Sequence, residues 1–268
     1  MRRVLVTGAN RGLGLEFTRQ LLARGDHVIA TCREPAGADV LASLSDRASI
    51  TAHPEPAPSM DAPAAQAHEC AGAIEGRGFA GAYRGQLHVL AADLALTESV
   101  DALAHDAERL FDGLDLLINN AGMLVSDETF GTVSAESLQS SIATNAIGPF
   151  LLTQALAPLL AKGNRAIVAN ISSQLGSMAR TNSFYTPSYA ISKAAQNMAS
   201  VLLAHGLADK GVRVIALHPG WVHTDMGGER APVSPTESVR GLLEVIDGLG
   251  TNETTARFLD YQGKPLPW

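Results

Sequence analysis

The chain has 268 residues, 46% of them apolar and 18% charged, with 20 Lys+Arg against 27 Asp+Glu for a formal net charge of −7. Those values fit a folded chain of one domain's length and exclude a disordered one; the acidic balance argues against general binding to nucleic acid or anionic membranes, which want a basic face. No apolar run approaches the roughly eighteen residues of a membrane span, and none follows Arg2-Arg3 as it would in a signal peptide. Cys32 and Cys70 form neither a CxxC pair nor a disulfide framework. A soluble, cytoplasmic protein is expected.

Apolar or β-branched runs at 3–7, 27–31, 87–90, 115–119, 166–170 and 212–217 predict strands buried on both faces. Between them apolar residues recur at helical spacing, first Leu13, Phe17 and Leu21, then Val100, Leu103, Ala107 and Leu110. Longer helices are predicted over 135–160, 186–209 and 235–249. Alternating strands and helices favour a parallel sheet covered on both faces, because parallel neighbours need long crossovers. The prediction is one doubly wound α/β domain over 1–268. The stretch 46–86 breaks the rhythm: 11 of its 41 residues are Ala, 5 are Gly and 4 are Pro. It reads as a flexible surface insertion with a weak helix around 64–74.

After the first predicted strand comes Thr7-Gly8-Ala9-Asn10-Arg11-Gly12-Leu13-Gly14. Glycines there permit a tight turn and close backbone approach to a pyrophosphate, and the following helix offers its N-terminus to the anion. The spacing is GxxxGxG rather than GxGxxG, so the turn's position between strand and helix carries the argument. NAD-binding folds place an acidic residue about twenty positions on, for the ribose 2′-hydroxyl. Here the second strand ends in Thr31-Cys32-Arg33-Glu34. Cys32 cannot make that bond, and the Arg33 guanidinium, with Arg11 in the turn, suits the 2′-phosphate of NADP.

Four further signals follow: Asn119-Asn120-Ala121-Gly122, Asn145 within a helix, Ser172-Ser173, and Tyr189-Ala190-Ile191-Ser192-Lys193. Tyr189 and Lys193, at i and i+4, share a helical face. A phenol normally ionises near pH 10. A neighbouring ammonium is expected to lower that value, and the Ser173 hydroxyl to hydrogen-bond a carbonyl oxygen as charge builds on it. The chemistry implied is hydride transfer to a carbonyl carbon with Tyr189 supplying the proton.

These residues together resemble the short-chain dehydrogenase/reductase family over nearly the whole chain outside the insertion. The resemblance implies a single Rossmann-type domain with a central parallel sheet, NADP(H) as cofactor, and Asn145, Ser173, Tyr189 and Lys193 as the catalytic set. In the family the lysine also holds the nicotinamide ribose, and the asparagine positions a water that relays protons. The cofactor positions it implies are Gly8, Asn10, Arg11, Gly12, Leu13 and Gly14 in the turn, then Arg33, then Asp93 and Leu94 near the adenine. Asn119, Ala121 and Gly122 follow, with Tyr189 and Lys193, and finally Pro219, Gly220, Val222 and Thr224. Ala30-Thr31-Cys32-Arg33, His218-Pro219-Gly220-Trp221-Val222 and the ending Gly263-Lys264-Pro265-Leu266-Pro267-Trp268 resemble the C-factor-like carbonyl reductases. The Ser173–Tyr189 spacing is longer than in most of the family, and the insertion has no counterpart in it.

The implied activity is NADPH-dependent reduction of a small aldehyde, ketone or quinone, with Met178, Phe184 and Trp221 suggesting an apolar substrate. The alternative is a dinucleotide-sensing signalling or binding protein of the same fold, for which a proton-transfer tyrosine would be superfluous. Ser172 and Tyr185 read as supporting residues. His53, Glu55, His68 and Cys70 match no metal-ligand spacing, so no metal is expected. His218 and His223 border the cofactor region in structural or exposed roles. The family resemblance also implies a homodimer through the helices over 135–160 and 186–209.

Overall fold

Val4 and Val6 point to one side of β1 (Arg3–Val6) and Leu5 to the other, and all three are fully buried. A strand apolar on both faces needs cover on both, and the sequence supplies it through helical crossovers. The computed structural model describes residues 1–44, 49–51, 85–250 and 256–268. Among them, β1, β2 (His27–Cys32), β3 (Ser49–Thr51), β4 (Leu87–Ala91), β5 (Leu116–Asn119), β6 (Ile167–Ile171), β7 (Arg213–His218) and β8 (Arg257–Asp260) form one sheet. Its order is β3-β4-β2-β1-β5-β6-β7-β8 and every pairing is parallel. All six predicted strands are present within a residue or two. β3 and β8 extend the two edges.

One face is filled by Phe17 and Leu21 of α1 (Gly12–Ala23) and Leu242 and Ile246 of α8 (Pro235–Asp247), packed on Val4, Val28 and Ile118. On the other, Leu5, Leu117 and Val168 meet Leu103 of α3 (Thr97–Leu110), Leu152 of α5 (Gly148–Ala155) and Leu203 of α7 (Pro187–Gly206). A one-turn α2 (Asp39–Ala42) follows β2. Chain order reverses between β1 and β5, and such a switch point opens a crevice at the carboxyl ends of the strands.

The predicted helix over 135–160 is four pieces: α4 (Ala135–Ile142), a π turn Ala143–Ile147, α5 and a short α6 (Ala157–Ala161). Pro149 cannot donate to the ladder, and Gly148 sits so close to Leu94 that a Cβ would lie 2.1 Å from its carbonyl oxygen. The outward apolar side of α7 runs through Ile191, Met198 and Leu202, each about half exposed, while Leu203 turns into the core. Most of the 46–86 stretch, including the weak helix at 64–74 and the residues His53, Glu55, His68 and Cys70, lies outside the described residues; within it, Ser49–Thr51 is the edge strand β3. No helix among the described residues is long and apolar enough to cross a membrane.

Candidate active site

The turn joining β1 to α1 lies at the switch point and is built to leave open backbone. Gly8 and Gly12 have φ of +66° and +53°, where side chains are strained. A Cβ on Gly14 would come 2.1 Å from the Gly8 carbonyl oxygen, and one on Gly8 would come 2.8 Å from Ala121 Cα. The turn after β5 is thus pressed against the first. Asn120 Nδ2 donates to the Thr7 and Gly8 carbonyls at 2.9 and 3.1 Å, while Thr7 Oγ1 accepts the Asn120 and Ala121 amides. Thr7 and Asn120, absent from the predicted contact set, are what fix the cradle.

The other predicted cofactor residues gather round the same crevice, with differences of role. Thr224 closes over the first turn, its methyl 3.5 Å from where a Gly12 Cβ would be, and its Oγ1 accepts the Gly227 amide. Gly220 has φ +85° and lies against the Tyr261 ring; Pro219 accepts a hydrogen bond from Ser238, and Val222 is buried. Asp93 shapes the end of β4 by accepting the Ala95 amide, and Leu94 is buried beneath α5. Arg33 is exposed at the end of β2 beside buried Cys32, whose thiol is pushed up by burial and so stays uncharged. Arg11 does not stand free: it pairs with Asp225 at 3.1 Å, both side chains largely exposed. Asn119 differs most. Its side chain is fully buried, donating to Asn170 and Thr153 inside the fold, so the side chain braces β5 against β6 and any contact with a cofactor would fall to the backbone.

The four residues predicted to be catalytic converge from three elements. Asn145 lies in the π turn, where its Oδ1 accepts the Met123 amide at 2.8 Å and its Nδ2 donates to the Met123 carbonyl and Ser192 Oγ at 2.9 Å. Ser192 in turn donates to the Tyr189 carbonyl, which ties the π turn to α7. Gly122 brings the cradle to the same place, with Asn145 Oδ1 and Lys193 Nζ 3.2 and 3.7 Å from a Cβ built there. Ser173 caps the short turn Gln174–Gly176, and its hydroxyl acts on the nearby Tyr189 phenol. Ser172 donates to Asn197 at 2.6 Å and so anchors the loop, as its supporting reading implies.

Tyr189 and Lys193 are 8% and 3% exposed. Here the electrostatics depart from expectation. Burial pushes the Tyr189 phenol up to about 12, with the Ser173 hydroxyl pulling the other way. Lys193 Nζ stands 5.6 Å from the centre of the tyrosine ring and donates instead to the Ile171 carbonyl and Gln196 Oε1, at 2.8 and 2.9 Å. Burial lowers Lys193 to about 7. His218 is likewise pushed down to about 4, chiefly by burial.

Two contacts outside the predicted set frame the site. Glu128, in the loop after β5, accepts both the amide and the hydroxyl of Ser188, next to Tyr189. Phe130 on that loop meets Phe184 edge to face, centroids 5.6 Å apart, with Phe130 almost wholly exposed. Met178, Tyr185 and Trp221 are also exposed. The Trp268 ring stacks on Phe258, and its carbonyl accepts the Ala179 amide, so the chain's last residues brace the segment that follows Ser173.

The description "short chain dehydrogenase" matches residues 60–233. The chain is 33% identical over 272 residues to a 1-hydroxy-2-glutathionyl-2-methyl-3-butene dehydrogenase of Rhodococcus sp. (strain AD45), covering the whole of both. It is 42% identical to the C-signal protein of Myxococcus xanthus over 155 residues, 58% of this chain and 93% of that one. Among solved structures, NADPH-bound carbonyl reductase from chicken fatty liver has a TM-score of 0.80 and 34% identity, covering 100% of this chain and 99% of that one. Carbonyl reductase Sniffer of D. melanogaster has a TM-score of 0.81 and 29% identity, with full coverage of both chains. The doubly wound parallel sheet, the glycine cradle and these likenesses agree, and the chain belongs to the short-chain dehydrogenase family.

Proposed function

We propose that the protein is an NADPH-dependent reductase of apolar carbonyl compounds. The observation that carries this reading is the convergence of Ser173, Tyr189 and Lys193 in one buried cluster beside the Gly8–Gly14 cradle. The cradle fits a dinucleotide: a side chain at Gly14 would collide with backbone, and the positive φ of Gly8 and Gly12 favours residues without a Cβ. The turn would hold the pyrophosphate, Arg33 the 2′-phosphate, and Lys193 the nicotinamide ribose. When bound, NADPH supplies a hydride to the carbonyl carbon. Ser173 donates a hydrogen bond to the carbonyl oxygen, and Tyr189, protonated at neutral pH, gives that oxygen its proton, so the product is the alcohol.

An apolar substrate is favoured by exposed aromatic rings, Phe130 against Phe184 in the segments before Tyr189, and Trp221 directly after the Pro219-Gly220 turn. Aromatic rings left in water next to a catalytic cluster gain most by covering an apolar ligand. The similarity to C-signal favours a second reading, a dinucleotide-binding signalling protein with little turnover. The buried tyrosine and lysine weigh against it, because burying a lysine is costly and a sensor has no use for the proton they move. The exposed row through Ile191, Met198 and Leu202 supports a homodimer built on α7. A panel of aliphatic and aromatic aldehydes, ketones and quinones, followed by NADPH absorbance, tests the reading. Turnover of at least one apolar carbonyl is expected; cofactor binding with no turnover across the panel would favour the signalling reading.

A further inference from the structure

Gln196 is almost completely buried, one helical turn after Lys193 on α7. Its Oε1 accepts from Lys193 Nζ at 2.9 Å, and its Nε2 is buried with no hydrogen-bond partner. The amide orientation follows from the chemistry, since an ammonium can only donate. A buried carboxamide that leaves its NH2 group unpaired is costly, and an aliphatic side chain would fill the position without that cost. What an aliphatic side chain cannot do is accept the lysine proton.

We propose that Gln196 is a positioning residue of the proton-transfer site: its Oε1, together with the Ile171 carbonyl, holds the Lys193 ammonium at the inner end of the cluster and keeps it charged. The inference rests on the reductase reading for its role in turnover, but the contact itself belongs to the protein alone. Two neutral acceptors replace the water that burial removes from the ammonium, and each favours the charged form. Tyr189 faces Lys193 from the same helix, while Asn145 and Ile171 bring no charge. Ionisable groups on the surrounding elements are Glu128 at the start of α7, Glu136 on α4, Arg213 and His218 on β7, and Asp209 and Lys210 beyond the end of α7. Burial is what lowers Lys193, and these groups do not offset it.

The chain has only four lysines, Lys162, Lys193, Lys210 and Lys264, so lysine-selective NMR labelling can follow Lys193 directly. The cofactor-free protein is titrated as wild type, Gln196→Leu and Gln196→Glu, with Lys193→Met to assign the signal. Loss of the acceptor should move the Lys193 titration to lower pH, and a carboxylate in its place should move it to higher pH by about one unit or more. Opposite displacements support the inference; no displacement, or displacement the same way in both, overturns it. Signals of the three exposed lysines report whether each variant is folded, and Gln196→Glu decides alone if the leucine variant is not. In NADPH oxidation assays the high-pH limb of kcat should move with the NMR titration. A titration that moves in protein unable to reduce any carbonyl would sustain the contact and sink the reductase reading.

Discussion

Glu128 caps the helix that carries Tyr189, the proposed proton donor: its carboxylate accepts the Ser188 amide at 3.1 Å and the Ser188 hydroxyl as well. The helix needs this help because its own N-cap, Thr186, sits at φ +40°, a strained conformation for a β-branched residue, and makes no capping bond. An acidic group at a helix N-terminus also meets the positive end of the dipole.

Glu128→Ala should therefore cost about 1 kcal/mol of stability, the usual worth of a cap, and lower kcat/KM on the order of tenfold by loosening Tyr189. Thermal unfolding and steady-state kinetics check the two parts separately. Unchanged kcat/KM in the folded variant would mean that the loop does not position the tyrosine.

Lys193 is held at a cost to stability. Its folded value of about 7 lies below the ordinary 10.5, so between those values the unfolded chain binds more protons and stability rises with pH. Lys193→Met should stabilise the fold by a few kcal/mol, on the order of the shift times 1.36 kcal/mol per unit. The gain should be largest below about pH 7 and fade as pH approaches 10.5. Denaturant melts at several pH values measure it; a gain that does not shrink with rising pH would contradict burial as the cause.

Arg33 is exposed beside the uncharged Cys32, the position where an acidic residue would select NAD. NADPH should give the higher kcat/KM, and Arg33→Ala should narrow the preference by about 1.5–3 kcal/mol, the worth of a hydrogen bond to a charged group. Equal use of NADH by the unmodified protein would refute the assignment. Arg11, paired with Asp225 on the surface, should matter less.

Much of this was legible in the sequence, for physical reasons. Strands buried on both faces leave continuous apolar runs, so the six inner strands could be read, whereas three-residue β3 and edge strand β8, with Arg257 and Asp260 at its ends, left no such run. Tyr189 and Lys193 could be paired because they lie one turn apart on one helix, whereas Asn145 and Ser173 were assigned through the family resemblance. Apolar periodicity ran unbroken through 135–160 and hid the π turn, although Gly148-Pro149 marked it. The inward turn of Asn119 is a matter of which face of β5 it occupies, and a motif does not state that. Glu128 and Gln196 act through contacts across 60 residues and across one helical turn, and only the folded chain brings out what each accepts.

The outward apolar row on α7 predicts association. Met198 and Leu202 are 57% and 56% exposed, and Ile147 on the π turn is 50% exposed. Light scattering should give a dimer at micromolar concentration, and Leu202→Glu should shift it to a 28.0 kDa species without loss of fold. A wild-type protein that is already monomeric would remove this face from consideration.

The proposed reaction stands or falls on Tyr189 as the proton donor. Tyr189→Phe deletes one oxygen from a buried ring that Ser173 touches, and leaves the cradle and Lys193 in place. NADPH binding followed by fluorescence, beside NADPH oxidation with the best carbonyl substrate, measures both consequences on one sample. Binding should stay close to that of the unmodified protein, and kcat should fall by roughly 10²-fold or more, the range for loss of a general acid. Reduction at the normal rate by the phenylalanine protein would contradict Tyr189 as the donor.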